Sequence, residues 1–279
     1  MKKVLIGIVV IPVLLIALVV GWFYNNQKQM FQDPVFDKEP PAVTLNDDQP
    51  ALLVFSKTNG FRHGDGIPAG NKLLTQIADR KGWQIFLTEN GAVHNSADLA
   101  RFDVVIWANA SGPLLLPQQR EALQAFIQNG GGFIAIHAAG DNSHSDWDWY
   151  QNSILGTGFI GHTMMPHKQD ADIVRAKTHP VMAGLPERWS HYDEWYAFDK
   201  NPDLAGATVI ANVDEASYDP GKYSMSPTHP VIWVKDIGEG RSLYSALGHS
   251  EKSFETPEYQ QLLAQAIAWT GRLEQQEKP

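Results

Sequence analysis

The chain has 279 residues and not one cysteine. That excludes disulfide staples, a thiolate nucleophile and a lipid-modified cysteine near the N-terminus. Basic residues are few as well, 22 Lys and Arg against 31 Asp and Glu, for a formal net charge of −9. Phosphate backbones and anionic lipid surfaces are bound by clustered Lys and Arg, so nucleic acid is excluded as a partner and lipid docking by charge is disfavoured. No internal repeat or low-complexity tract is present. No charged residue occurs from Val4 to Tyr24.

That uncharged run follows Lys2 and Lys3 and closes on Gly21-Trp22-Phe23-Tyr24. As a helix it spans the roughly 30 Å hydrocarbon core, and its aromatic end suits a membrane interface better than a small-residue cleavage site. Residues 1–24 are therefore expected to form an uncleaved single-pass anchor rather than a cleaved signal, with the two lysines cytoplasmic. The remainder then lies outside the cytoplasm, in the periplasm of a Gram-negative source. Residues 25–50 are polar and hold Pro34, Pro40, Pro41 and Pro50, the composition of a linker. Residues 51–271 are long enough for one α/β domain with a full core, and 272–279 form a polar tail.

Ala51–Phe55, Trp83–Leu87, Val104–Trp107 and Phe133–Ile136 read as strands. They alternate with helices opened near Pro68 and Pro117 and closed by Gly82 and by Gly130-Gly131-Gly132. Strand–helix alternation predicts a flavodoxin-like, mostly parallel sheet with helices on both faces. From Asp141 to about Asp203 the periodicity fails, and the segment reads as long inserted loops. Thr208–Ala211 then resumes as a strand. Val231–Val234 and Ser242–Leu247 form a hairpin, and a helix runs behind Pro257.

The passage Gly130-Gly-Gly-Phe-Ile-Ala-Ile-His137-Ala-Ala-Gly-Asp141 places a histidine on the sharp turn after a buried strand. Hydrolases carry a serine or cysteine at such an elbow. The glycines precede a strand instead of opening a helix, so they are not a phosphate loop. No serine stands at the elbow, since Ser143 and Ser145 fall in the insert. His63 and His249 also follow strands, and parallel strands would bring all three histidines to one crevice. In His191-Tyr-Asp-Glu-Trp195-Tyr196, Glu194 and Asp193 are carboxylates among aromatics, an environment suited to proton transfer. A second reading is metal ligation, with zinc or a similar divalent ion, by members of the set His137, Asp141, His144, Asp146, Asp148, His162, His167 and Asp170. No pair among them has the helical i, i+4 placement of a known metal motif, because the residues between read as loop. Nine tryptophans and eight tyrosines offer faces suited to sugar rings.

Taken in order, Thr58-Asn-Gly-Phe-Arg-His63, the His137 elbow, Asp193-Glu-Trp-Tyr196 and the block Pro230 to His249 resemble the ThuA-like, or trehalose-utilisation, proteins over nearly all of 51–271. That resemblance implies the fold of class I glutamine amidotransferases, with His137 near the position of their cysteine and His249 near their histidine. Glutaminase activity is excluded, because imidazole cannot replace the thiolate. It further implies handling of sugars, including 3-keto glycosides. The expected site is catalytic His137, Glu194, His249 and His63, with Asn59, Arg62, Asp141, Trp147 and Trp195 holding a small carbohydrate, Trp149 adding a stacking face, and chemistry that is acid–base or metal-assisted. The alternative is a sugar-binding or interaction module without catalysis.

Overall fold

The computed structural model describes residues 2–46 and 48–273, with the side chains of 2–10 and 12 outside the description. In chain order the elements are α1 (Lys2–Asn26), β1 (Ala51–Phe55), α2 (Gly66–Lys81), β2 (Gln84–Thr88), α3 (Ser96–Leu99), β3 (Val104–Ala108), α4 (Pro117–Gln128) and β4 (Gly132–Ile136). They continue with β5 (Phe159–Gly161), β6 (Gln169–Arg175), β7 (Arg188–Asp193), β8 (Ala197–Phe198), β9 (Thr208–Val213), β10 (Pro230–Ile237), β11 (Gly240–Ser245), α5 (Glu251–Glu255) and α6 (Pro257–Thr270).

Nine strands form one sheet in the order β2-β1-β3-β4-β11-β10-β9-β6-β7. From β2 to β11 neighbouring strands are parallel, and from β11 to β7 they are antiparallel. Every residue of β1, β3 and β4 is buried. A parallel strand covered on both faces has no solvent side, hence the uninterrupted apolar runs. Helices α2, α5 and α6 form one contiguous layer and α3 with α4 another. Burying Leu73, Leu74, Ile77 and Ala78 fixes the inner face of α2, and Gly82 ends it in a left-handed turn at φ +70°, a conformation that a side chain disfavours.

The stretch expected to be inserted loop contains β5 to β8. Strands β6 and β7 extend the main sheet, and β5 pairs with β8 apart from it. Directions alternate across the antiparallel half, so β7 runs the same way as β4 and β11. A flat sheet would hold β7 about 19 Å from β11, four spacings of ~4.8 Å. Instead the Asp193 carboxylate at the end of β7 accepts a bond of 2.8 Å from the Gly248 amide just beyond β11. The antiparallel half therefore curls back, and the Ala246–His249 turn reaches over to meet it.

The segment predicted as a loose linker is bonded down. Gln27 Nε2 donates to the Arg62 carbonyl at 2.9 Å and its Oε1 accepts from the Arg62 amide at 2.8 Å. Gln29 Nε2 donates to the Gly60 carbonyl, Val35 and Asn59 bond reciprocally, and Asp37 pairs with Lys57 and accepts from the Gly91 amide. Residues 27–37 thus form a strap over the loop that presents His63.

Among the described residues no helix is long and apolar enough to cross a membrane. The expected anchor lies in α1, and side chains of its first half are outside the described residues. In the described part Ile11, Leu14, Leu15, Leu18, Val19 and Trp22 are all exposed. The expected polar tail lies outside the described residues beyond residue 273.

Candidate metal and active centre

Four strands running the same way deliver the centre. His63 follows β1, His137 follows β4, Glu194 follows β7, and His249 follows β11. One donor atom from each of the four lies within 4.8 Å of all the others. The crevice at carboxyl ends of parallel strands is where α/β proteins bind ligands. Here an antiparallel extension adds a carboxylate by curling.

His137 takes φ +49°, a left-handed backbone that costs a non-glycine residue energy and persists only where its surroundings impose it. Two buried phenols do so. Tyr244 Oη donates to the His137 carbonyl at 3.0 Å and Tyr150 Oη to the Ala139 carbonyl at 2.7 Å. His137 Nδ1 donates to the Ala246 carbonyl at 2.7 Å, so in the neutral ring the lone pair is on Nε2. That lone pair faces Glu194 Oε2 at 3.3 Å and His249 Nδ1 at 3.1 Å, and His249 Nδ1 is 3.2 Å from the same oxygen. His63 closes the group, its ring centroid 4.7 Å from that of His137 and 4.8 Å from that of His249. Its Nδ1 is buried with no hydrogen-bond partner.

The second Glu194 oxygen, Oε1, meets His162 Nδ1 at 3.0 Å and His167 Nε2 in close contact. Glu194 is 2 % exposed. Burial would raise its pKa, yet its bonds to His137, His167 and His249 outweigh that and hold it far below the usual carboxylate range. For His137 burial acts to lower the pKa, but the Glu194 bond and charge raise it on balance. His63 and His249 are both lowered, chiefly by burial. Asp141 is pushed up to about 6 by burial.

Phe61, Phe159 and Tyr196 wall a cavity of about 220 Å³, with His63, Asp141, His162, His167, Glu194 and His249 also facing it. Tyr196 lies over His137 at 4.2 Å between ring centroids.

Of the residues expected from sequence, His63, His137, Glu194, His249 and Asp141 are brought together. The others are not. Asn59 bonds the strap and the Pro113 carbonyl, and Arg62 pairs with Glu89 at 2.7 Å. Trp147 packs against Trp149 and Tyr150 beneath Arg120. Trp195 is 2 % exposed and donates to the Gln169 carbonyl. Asp193 is a brace within the protein. Within the alternative metal set, Asp141, His162 and His167 line the cavity, with His137 buried behind Glu194 and His249. His144 bonds the Ala110 carbonyl, while Asp146 and Asp170 pair with Arg120 and Lys252. Phe61 and Tyr196 lie inside motifs singled out in the sequence without being expected in the site, and Phe159 has no sequence signal.

Fold and centre together define an α/β protein of amidotransferase-like fold whose turn after β4 carries an imidazole facing a carboxylate. The chain belongs to the ThuA family, described as trehalose utilisation, whose model matches residues 51–270. No curated protein matches it in sequence. Among solved structures it is similar to a protein described as ThuA-like from Bacteroides uniformis, at 21% identity over 83% of this chain and 95% of that one, with a TM-score of 0.70. A ThuA-like protein from Parabacteroides merdae gives 18% identity, 83% and 93% coverage and a TM-score of 0.63. A cytoplasmic protein of Salmonella typhimurium gives 10% identity, 79% and 99% coverage and a TM-score of 0.53. These likenesses establish the fold.

Proposed function

We propose that this chain is a membrane-anchored enzyme that transforms a carbohydrate, with 3-keto glycosides the leading class, at a divalent-metal centre held by His63, His137, His249 and Glu194. One observation carries the reading. Glu194 Oε2, His137 Nε2 and His249 Nδ1 form a triangle with edges of 3.1, 3.2 and 3.3 Å. Tetrahedral zinc with bonds of about 2.0–2.1 Å separates its ligands by roughly 3.3 Å. The unpartnered Nδ1 of buried His63 and the outward bond of His137 Nδ1 to a carbonyl fit the same purpose, since ligating imidazoles are oriented through their other nitrogen.

A divalent ion held by these four residues would polarise a substrate carbonyl or hydroxyl by expanding to a fifth ligand. The chain's own residues supply the rest. Asp141, with its pKa near 6, takes up and returns a proton close to neutrality. The rings of Phe61, Phe159 and Tyr196 present apolar faces to a sugar and exclude water. A cavity of about 220 Å³ is below the roughly 300 Å³ at which drug-sized pockets begin, which suits one sugar ring bound at a time.

Metal analysis of the detergent-purified chain, beside His137→Ala, tests the centre. The wild type is expected to retain zinc or another divalent ion through dialysis and to turn over a member of a keto-glycoside panel. His137→Ala is expected to lose at least a hundredfold in both metal affinity and rate. A metal-free wild type whose turnover is unchanged in His137→Ala would remove the metal-centre reading.

The anchor is supported by Lys2 and Lys3 before the uncharged run and by exposed apolar side chains on every side of the described part of α1. Such a helix lacks a polar face to give to water. The protein is expected to resist alkaline carbonate extraction from membranes and to be extracted once residues 1–24 are deleted. Extraction of the intact chain would refute the anchor.

A further inference from the structure

Glu194 has two oxygens, and the protein surrounds each with its own imidazoles. Oε2 faces His137 and His249, with His63 beside them. Oε1 faces His162 and His167, and these three residues again hold donor atoms within 4.8 Å of one another. His162 Nδ1 also lies 2.9 Å from the Thr163 carbonyl, a bond it would give up to take a cation. The two histidine sets come from different parts of the fold. The first hangs from the strand ends of the buried sheet. The second lies on the excursion between β5 and β6, whose histidine side chains are 23 % and 39 % exposed.

A lone carboxylate is an odd focus for so many rings. It carries one negative charge, so it balances one imidazolium, and neutral imidazoles turn lone pairs as well as N–H groups toward its oxygens. His137 shows the difficulty, because its only neutral-form proton is spent on the Ala246 carbonyl. Cations placed between oxygen and nitrogen lone pairs resolve it on both sides of the carboxylate.

We propose that the cavity holds two divalent cations bridged by the Glu194 carboxylate, one in the His63–His137–His249 set and a second, substrate-facing one held by His162 and His167. This rests on the metal-centre reading above and extends it. The donor counts divide the labour. Three imidazoles and a carboxylate complete a four-coordinate shell, the closed kind. Two imidazoles and a carboxylate make the three-ligand set typical of catalytic zinc, with positions left for water or substrate. A carboxylate bridge spans the roughly 3.5–4 Å separation of two-metal sites. The open cation faces the cavity, where the neighbouring oxygens of a hydroxy-ketone sugar meet it, with Asp141 on the same wall.

The test is metal stoichiometry. The full chain in detergent is stripped with chelator, then titrated with Zn²⁺, and with Co²⁺ for its visible spectrum. His162→Ala/His167→Ala is treated identically, with thermal melting of both chelated proteins as the control for folding. Two equivalents in the wild type and one in the double variant, at unchanged chelated Tm, are expected. The second equivalent is expected to bind more weakly, and its loss to abolish turnover while the first remains tight. One equivalent in the wild type, retained by the double variant, would overturn the bridged pair and leave the single-metal reading standing. One equivalent that the double variant loses would overturn the division of ligands. No binding at all would overturn both readings.

Discussion

Glu194→Gln is expected to empty the centre while leaving the fold in place. The amide keeps the shape of the side chain but loses its charge, and all four neighbouring imidazoles lose the anion they face. Metal affinity should fall at least a hundredfold, about 2.7 kcal/mol or more, because even outer partners of ligating groups are worth ten- to a hundredfold. The His137 pKa, raised by Glu194, should drop. The chelated variant should melt below chelated wild type but still unfold cooperatively. The imidazole contacts that hold the Glu194 carboxyl far below its ordinary range contribute stability at neutral pH, and the amide forfeits them. Calorimetric zinc titration and a histidine NMR titration check both halves. Wild-type affinity in Glu194→Gln would sink the assignment of Glu194 as a ligand.

The adjacent residue should behave in the opposite way. Asp193 is fully buried and ties the end of β7 to the turn that carries His249. Its Oδ1 accepts from the amides of Glu194 at 2.9 Å and His249 at 3.1 Å. Its Oδ2 accepts from the Gly248 amide at 2.8 Å and the Ser253 hydroxyl at 2.7 Å, with His191 Nε2 3.3 Å away. Asp193→Ala strands these donors in the interior and should cost about 3–5 kcal/mol, on the order of 10 °C in Tm, with or without metal. Burial would raise this carboxyl, but its bonds and His191 hold it at about 2, below the ordinary 3.8. A depressed folded-state pKa contributes stability that is complete above the ordinary value and lost as pH falls through the depressed one. The stability gap between wild type and Asp193→Ala should therefore narrow between about pH 4 and pH 2. A Tm loss under 2 °C in Asp193→Ala would show that the curled half of the sheet is held by something else.

The pair also shows what was legible in the sequence. Strands β1, β3 and β4 announced themselves because burial on both faces leaves no position for a polar residue. Strands β6 and β7 did not. Strand β7 is the sheet's edge, and the buried positions of its alternation are Trp189, His191 and Asp193, two of them polar. A rule that equates inside with apolar passes over such a strand.

His63, His137 and His249 could be placed from topology, since each follows a strand of one direction. Glu194 drew notice from its aromatic neighbours and was expected beside the histidines, but the curl that brings β7 to them left no signal in the sequence. His162 and His167 stood out only as members of a polar cluster, because loop spacing has no period to relate them to the elbow. Tryptophan counts misled at Trp147 and Trp195. Composition does not tell which face of an indole is already covered.

The strap has a consequence for where the site works. From Tyr24 to Gln27 the chain advances about 5 Å along the helix axis, and Gln27 is then bonded to the backbone of Arg62, next to His63. Were α1 embedded to its aromatic end as proposed, no slack would remain between lipid and the loop that carries His63. On the proposed anchoring, the centre would stand at a fixed low height over the bilayer, where it would meet sugars that arrive at the surface. A soluble fragment begun at Ala51 would gain freedom of movement and leave His63 on an unsupported loop.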